Sequence, residues 1–240
     1  YSGLSDDQLT IYVAPFGLKP DLQKLAAHFS RAPIVVDAAS CFDSCREIGQ
    51  SLPENIILMI SLHATKTVTT GEGGFLVGPE GWISRIKAWS NFGFYGSRIA
   101  YRLATNSKIS EYQAAVGLAS LDNWEQDRKC WEQTSYQMSS VLTKAGLRTQ
   151  LAFKFNQVSS TCIAVFESEL HRDRAESKLA ELGIETRRWW GDGLHRMPFF
   201  SGFRSTQSLQ NTEEVASTTL GIPIYRDLEP EAIERIGFCI

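Results

Sequence analysis

The sequence lacks several features that would point to particular classes of protein. No apolar run approaches the roughly 20 residues that a membrane-spanning helix needs, so we expect no membrane partner. The net charge is only −3 over 240 residues. No basic stripe is interleaved with aromatic residues, which argues against nucleic acid as the main partner. These absences favour a globular enzyme, and the hydrophobic fraction of 43% suits a sizeable core.

Cysteines are few, and their spacing excludes a zinc site. Cys41 and Cys45 are four residues apart, but no second Cys or His pair follows at zinc spacing. We therefore expect no metal. The five cysteines are an odd number, which is typical of free thiols in a reducing compartment. The sequence thus predicts a cytoplasmic protein.

The first half of the chain alternates strand-type and helix-type patterns. Apolar, β-rich runs predict strands at residues 10–16, 34–37, 56–60 and 75–77, and amphipathic spacing predicts helices at 20–30 and 82–89. This rhythm predicts βαβ units and an α/β fold with a largely parallel sheet. Ligands of such sheets bind outside the carboxyl ends of the strands. Asp37 and Lys66 come at or shortly after two of these ends.

The second half begins with a long helical pattern. Ser110 is a suitable N-cap, and helical spacing continues from Glu111, with interruptions, to about Lys144. Beyond it we expect a strand at 161–166, a helix at 172–182 and a second strand that begins at Ile184. The predicted domains are therefore residues 1–125 and residues 126–240, with the long connecting helix in the latter.

Residues 61–74 form the most informative stretch. It carries a single lysine, Lys66, among small and hydroxylated residues after an apolar strand. A buried ammonium is unfavourable unless it is paired or used. Desolvation lowers the pKa of a lysine, which makes its amine available as a nucleophile toward a carbonyl. A lysine and a strand-end acid such as Asp37 are the two groups that pyridoxal phosphate chemistry needs, although an acid at a strand end has other uses as well.

Three motifs resemble the DegT/DnrJ/EryC1/StrS family, the sugar aminotransferases among the fold-type I pyridoxal phosphate enzymes. They are Val36-Asp37-Ala38-Ala39, then Ser61-x-His63-Ala64-Thr65-Lys66 with Thr70-Gly71-Glu72-Gly73-Gly74, then Asn106-x-Lys108-Ile109-Ser110-Glu111-x-x-Ala114-Ala115-x-Gly117-Leu118. Segments 183–187 and 220–225 are similar too, so the resemblance extends from Thr10 to near the end. It implies a mostly parallel large domain of fold type I, followed by a small α+β domain.

The resemblance implies a role for five residues. Lys66 matches the lysine that binds the cofactor covalently, and Asp37 matches the partner of its pyridine nitrogen. Ser61 matches a ligand of the cofactor phosphate, unless it is a satisfied core hydroxyl. Asn106 matches a residue that reaches the phosphate of the neighbouring subunit's cofactor, unless it is only a turn residue. This role implies a homodimer with shared active sites. Ser40 stands near the cofactor ring where many members have Gln or His, and it is too short for the same direct contact.

Other positions leave alternatives open. Lys108 replaces a commoner arginine, so a carboxylate or phosphate contact there would be looser. His63 either contacts the cofactor region or supports the lysine segment, and we favour a hydrogen-bonded core histidine. Trp189 and Trp190 either border a nucleotide-sugar site or form a partly buried patch at the domain junction, and we favour the patch.

The implied activity is the transfer of an amino group, from glutamate by family likeness, to a keto group of a nucleotide-linked sugar. One alternative is a non-catalytic relative that binds sugars or pairs with another subunit. Another is a family dehydratase, but enzymes of that type tend to have histidine in place of the lysine. The family's N-terminal portion carries a phosphate-binding turn and an aromatic that stacks on the cofactor ring. That portion is not recognisable in these 240 residues, and we expect the sequence to lack it.

Overall fold

The computed structural model describes residues 9–29, 32–46, 48, 52–149, 158–189, 191–202 and 208–240. The chain divides into two compact units, of which the first ends at Gln126 and the second begins at Asp127. None of the helices described is long and apolar enough to cross a membrane.

Strands and helices alternate through much of the first unit. Its elements are β1 (Thr10–Val13), α1 (Leu22–His28), β2 (Ile34–Asp37), α2 (Phe42–Cys45), β3 (Ile56–Ser61), β4 (Gly74–Val77), α3 (Glu80–Ser90) and α4 (Glu111–Asp122). The strands form one sheet in the order β1-β2-β3-β4. The first three are parallel, and β4 is antiparallel to β3. The predicted α/β fold with a largely parallel sheet is confirmed.

Apolar side chains of β2 and β3 form the centre of the core. Alternate residues of a strand line one face of its sheet. The five side chains on the core face are at most 2% exposed: Ile34, Val36, Ile56, Leu58 and Ile60. They cluster with Leu22 of α1 and Cys45 of α2. Full burial of one such aliphatic side chain stabilises the fold by about 1.5–3 kcal/mol, so this layer fixes the two strands that end at Asp37 and Ser61.

The predicted long helical run is two helices. α4 ends at Asp122, and α5 runs from Trp124 to Lys144. Asn123 lies between them and its side-chain amide donates to the carbonyl of Ala119. The N-terminal cap of α4 is as predicted, because Ser110 accepts from the backbone N–H of Gln113.

The second unit contains the rest of α5 and a two-stranded antiparallel sheet. Its further elements are β5 (Cys162–Val165), α6 (Glu169–Glu181), α7 (Gln210–Thr218), β6 (Thr219–Ile222) and α8 (Pro230–Cys239). β5 pairs with β6. The helix predicted from Arg172 begins three residues earlier, because Ser168 caps it by accepting from the N–H of His171.

The prediction of a second strand that begins at Ile184 is wrong. Residues 184–186 are irregular, and only Arg187 pairs with the sheet, in an isolated bridge to Gly221. The partner of β5 is β6 instead. The next residue but one, Trp189, covers Gly221, where an added Cβ would lie 2.6 Å from its Nε1. The single bridge consists of two backbone hydrogen bonds, from Arg187 to the carbonyl of Gly221 and from Gly221 to the carbonyl of Arg187.

Candidate functional site

Two parallel strands end side by side at the candidate site. In the register of β2 and β3, Asp37 lies beside Met59, and Ser61 ends β3 two residues later. The Asp37 carboxylate accepts a hydrogen bond from the backbone N–H of Ala39 at 3.1 Å. The carboxylate is therefore held against the turn that follows β2. This is the edge of a parallel sheet at which ligands bind.

The amine of Lys66 reaches the same turn. Its Nζ donates to the Ser40 hydroxyl at 2.8 Å. Burial lowers the pKa of Lys66, while the charge of Asp37 raises it in part. A lowered pKa increases the fraction of neutral amine, which is the nucleophilic form. The structure thus brings together Asp37, Ser40 and Lys66.

Cys41 lies beside this group and is a neutral thiol. Burial raises its pKa to about 12. Its single S–H lies within hydrogen-bonding distance of the backbone carbonyls of Ala14 and Leu18. Since a thiolate is the reactive form of cysteine, Cys41 is not a competing nucleophile. Among the residues described, no group of three or more His, Cys, Asp or Glu side chains is arranged to hold a metal ion.

Lys66 belongs to a loop that is closed at both ends. This lysine loop comprises residues 62–73 and joins β3 to β4. The N–H of Leu62 donates to the carbonyl of Gly73 at 2.9 Å, and the N–H of Ala64 donates to the carbonyl of Gly71 at 2.8 Å. Because its two ends meet in backbone hydrogen bonds, the lysine loop is a defined structure rather than an open connection.

Helix α4 holds the lysine loop from outside. Two hydrogen bonds join them, from Ser120 Oγ to the carbonyl of Thr69 and from Gln113 Nε2 to the carbonyl of Glu72, each 3.1 Å long. Between these bonds, a Cβ at Gly117 would lie 2.7 Å from a methyl carbon of Thr70. Only glycine allows this approach. The sequence predictions assigned no role to the contact residues of α4, although their spacing of four and three residues places them on one helix face.

His63 supports the lysine loop. Its Nδ1 accepts from the N–H of Thr65 at 3.3 Å, and its Nε2 lies 3.6 Å from a carboxylate oxygen of Glu72. Its side chain is 46% exposed, so the favoured prediction of a core histidine is wrong. A histidine inside a polar loop finds its partners locally, because the backbone N–H groups of the turn lie within reach.

Ser61 is half-buried at the end of β3. Its hydroxyl oxygen accepts from the N–H of His63 at 3.3 Å. The contact places the hydroxyl over the first turn of the lysine loop. A hydroxyl that accepts one bond still has a proton to donate. Its predicted contact with a cofactor phosphate stays a prediction.

Asn106 lies on a segment that folds back between α3 and α4, where it forms a bridge with Asn91. The Lys108 ammonium donates to the side-chain oxygens of both asparagines at 2.7 Å. It also lies 4.6 Å from the centre of the Phe92 ring. With its oxygen bound to Lys108, the exposed Asn106 amide directs its nitrogen away from that ammonium. Lys108 itself binds amide oxygens, whereas the sequence suggested a looser contact with an anion.

The DegT/DnrJ/EryC1/StrS aminotransferase family matches the chain over residues 11–240. The chain belongs to this family.

Curated relatives are similar over most of this chain. Protein Rv3402c of Mycobacterium tuberculosis is 28% identical over 222 residues, which are 89% of this chain and 53% of the relative. The dTDP-4-amino-4,6-dideoxy-D-glucose transaminase of Shigella dysenteriae is 26% identical over 239 residues, which are 96% of this chain and 65% of the relative. The chain thus spans about half to two thirds of the length of these relatives.

Solved structures share the fold. A proposed PLP-dependent aminotransferase from Bacillus cereus ATCC 10987 superposes with a TM-score of 0.84 at 26% identity, covering 96% of this chain and 64% of that protein. DesI, solved with its TDP-sugar product, gives a TM-score of 0.79 at 24% identity, covering 99% of this chain and 62% of DesI. The fold is that of the fold-type I aminotransferases.

The residues present fit pyridoxal phosphate, the cofactor of this family. The cofactor needs an amine for its aldehyde and an acid for its ring nitrogen. Lys66 supplies a half-buried amine with a lowered pKa, and the Asp37 carboxylate is the charge that acts on it most strongly. Asp37 ends β2, and Lys66 follows the end of the parallel strand β3. This donor set matches the chemistry of the group.

The predicted tryptophan patch lies in the second unit and is described in part. Trp189 is half-buried, its ring lies against Gly221, and the Arg187 guanidinium lies 5.1 Å from the ring centre. Trp190 lies outside the described residues. The neighbouring Arg188 donates to Glu176 and Asp173. The Arg188 guanidinium is thus bound within its own unit.

Proposed function

We propose that this protein is a pyridoxal phosphate-dependent aminotransferase that transfers an amino group to a keto group of a nucleotide-linked sugar. One observation carries the proposal: the half-buried amine of Lys66 binds Ser40 at 2.8 Å beside Asp37, at the ends of parallel strands. Membership of the family supports the reaction type. The name of the Shigella dysenteriae relative supports the substrate class. The amino donor in this proposal is glutamate, by likeness to the family.

The chain's own residues divide the chemistry among them. When bound, pyridoxal phosphate supplies a sink for the electrons of a carbanion next to the transferred nitrogen. Lys66 would bond to the cofactor aldehyde through Nζ, and its amine, when free, would take up and return the proton of the substrate carbon. The Asp37 carboxylate would keep the proton on the ring nitrogen of the cofactor. Because the amine of Lys66 has a lowered pKa, it is better suited to accept a proton near neutral pH.

Ser61 and Asn106 are proposed to bind phosphate. The hydroxyl of Ser61 has a proton to donate, and the amide nitrogen of Asn106 is directed away from Lys108. For Asn106 we propose that the phosphate belongs to the cofactor of a second subunit in a homodimer. Large apolar side chains near Asn106 in sequence support such an interface, since each is at least 62% exposed: Tyr95, Tyr101, Leu103, Tyr112 and Leu118.

The two parts of the chain would serve different purposes. Residues 1–125 are proposed as part of the large cofactor-binding domain, and residues 126–240 as the connecting helix and the small domain. The two compact units support this division. We also propose a cytoplasmic location, which the five free cysteines support.

The proposal is tested by adding pyridoxal phosphate to the full chain. We expect a visible absorption band, and reduction with borohydride should fix the cofactor to Lys66, as peptide mass spectrometry would show. Nucleotide-linked keto-sugars are then assayed with glutamate and with other amino acids as donors. Formation of an amino sugar supports the proposal. A chain that binds these sugars but shows neither the band nor a modified Lys66 contradicts it and favours a non-catalytic relative.

A further inference from the structure

We propose that Ser40 is the positioning residue of Lys66: its hydroxyl holds the lysine amine at the end of β2, beside Asp37. The catalytic significance of this contact rests on the proposed function, but the contact itself forms between two side chains of the protein and needs no cofactor. Nζ and Oγ lie 2.8 Å apart although the two residues are separated by 26 positions. Within the described part of the chain, this is the hydrogen bond that the Lys66 amine makes.

The Ser40 hydroxyl is held by a fixed turn. The N–H of Cys41 donates to the carbonyl of Ala38 at 2.8 Å, and the N–H of Ala39 donates to the Asp37 carboxylate at 3.1 Å. The residues before and after the turn's centre are anchored in the core, since Ala38 is 0% and Cys41 is 1% exposed. A serine side chain has a single rotatable bond before its oxygen. The backbone therefore limits the acceptor to the three staggered positions of this one bond.

A long side chain such as that of Lys66 needs an acceptor to fix its end more than a short side chain does. Its four-carbon stem has many rotamers, and holding its end in one place restricts them. A hydroxyl oxygen accepts from an ammonium and from a neutral amine alike, because both carry N–H donors. The contact therefore survives the change of protonation that the proposed reaction requires. A carboxylate in the same place would favour the ammonium and oppose nucleophilic attack.

The groups around the Lys66 amine give the Ser40 hydroxyl a role that differs from theirs. The charged and titratable groups that act on Lys66 are Asp37 and Cys41. Burial raises the pKa of Cys41 to about 12, so that thiol is neutral near pH 7. Asp37 is then the charge that faces the amine, and Ser40 is the neutral acceptor that fixes its position. The same hydroxyl would accept from the Lys66 amine whenever that amine is not bonded to the cofactor.

The test measures the pKa of Lys66 in the full chain without cofactor. Competitive acetylation over a range of pH, read by peptide mass spectrometry, gives the pKa of this one lysine. A hydrogen bond stabilises the ammonium more than the neutral amine, so Ser40→Ala should lower the pKa of Lys66 by about 0.5–1 unit. Ser40→Thr keeps a hydroxyl and should restore most of the shift. The matched control is Ser44→Ala, because the Ser44 hydroxyl binds the Cys41 carbonyl.

Each outcome decides one question. A lower pKa in Ser40→Ala alone supports the inference. An unchanged or higher pKa in Ser40→Ala, or an equal fall in Ser44→Ala, overturns it. If the pKa falls as expected but pyridoxal phosphate gives no visible band with the wild-type chain, the Ser40 contact stands and the proposed function fails. If the band forms while all variants share one pKa, the proposed function stands and the inference fails.

Discussion

Each unit of the molecule buries a cation, and the two are treated in opposite ways. In the second unit, Arg172 is 1% exposed and donates to Glu169, Asp173 and the carbonyl of Ala216. In the first unit, Lys66 is half-buried and donates to the neutral hydroxyl of Ser40. Arg172 has an acceptor at each of its three nitrogens, whereas Lys66 keeps capacity for another partner.

The difference separates a structural cation from a reactive one. Two carboxylates around a guanidinium hold it in one position, which suits a role in packing. A lysine that is desolvated, with a neutral acceptor and one nearby carboxylate, has a lowered pKa and a usable lone pair. Burial alone therefore does not identify a functional cation. The number and charge of the acceptors around the cation distinguish a reactive one from a structural one.

The largest effect is expected when the reactive cation is removed. Lys66→Ala and Lys66→Arg should abolish the visible band with pyridoxal phosphate and lower amino transfer by more than about 10⁴-fold, because nucleophile and proton carrier are lost together. Absorbance and product formation measure this. The control is Lys87→Ala, since Lys87 is an exposed lysine on α3. A band that persists in Lys66→Ala would reject Lys66 as the cofactor-binding residue.

Removal of the charge beside Lys66 should have the next largest effect. Asp37→Asn should slow amino transfer by about 10²–10⁴-fold, because the ring nitrogen loses the acid that keeps it protonated. The cofactor should still bind, so the visible band separates this variant from Lys66→Ala. Steady-state rates and a cofactor titration measure the two properties. Turnover equal to that of the wild type would refute the role of Asp37.

The structural cation should affect stability instead. Arg172→Met should lower the free energy of unfolding by about 1–3 kcal/mol, because the carbonyl of Ala216 and the two carboxylates lose their donor. Glu169 is 65% and Asp173 is 46% exposed at the side chain, so neither carboxylate is left as an uncompensated buried charge. Urea unfolding followed by tryptophan fluorescence measures the change. The control is Arg174→Ala, since Arg174 is exposed on the same helix. Its free energy of unfolding should stay within about 0.5 kcal/mol of that of the wild type. Equal losses in the two variants would contradict the comparison.

The smallest effect concerns pH. Burial lowers the pKa of Lys66 below its ordinary 10.5. Between the folded and unfolded pKa values, the unfolded chain binds more protons, so stability from this group rises with pH. The penalty is fully present below the folded pKa and disappears as the pH approaches 10.5. Relative to Lys66→Met, the wild type should therefore gain stability as the pH rises from the folded pKa of Lys66 toward 10.5. Urea unfolding at several pH values measures this, and parallel curves would contradict it.

The sequence predicts the frame of the site well. Apolar runs identify β2 and β3, and parallel strands place their carboxyl ends at one edge. These two facts predict that Asp37 and Lys66 lie at the ligand-binding edge of the sheet. The core also follows, since alternate residues such as Ile34 and Val36 line one face.

The contacts that complete the site are less visible in the sequence. No local rule tells which side chain a lysine will meet 26 positions away, so the bond to Ser40 depends on the packed turn. The same holds for Lys108, whose partners Asn91 and Asn106 come together only when the segment folds back. A helical-face pattern of Gln113, Gly117 and Ser120 is the signal that would have predicted the support of the lysine loop by α4.

The closed ends of the lysine loop have a consequence for how such a protein changes over time. Leu62 and Gly73 meet in a backbone hydrogen bond, so the strands on either side are joined whatever side chains lie between them. Replacement of the reactive residue then alters the chemistry and leaves the sheet in register. Substitutions within the lysine loop can therefore change the reaction during evolution while the fold of the sheet is retained.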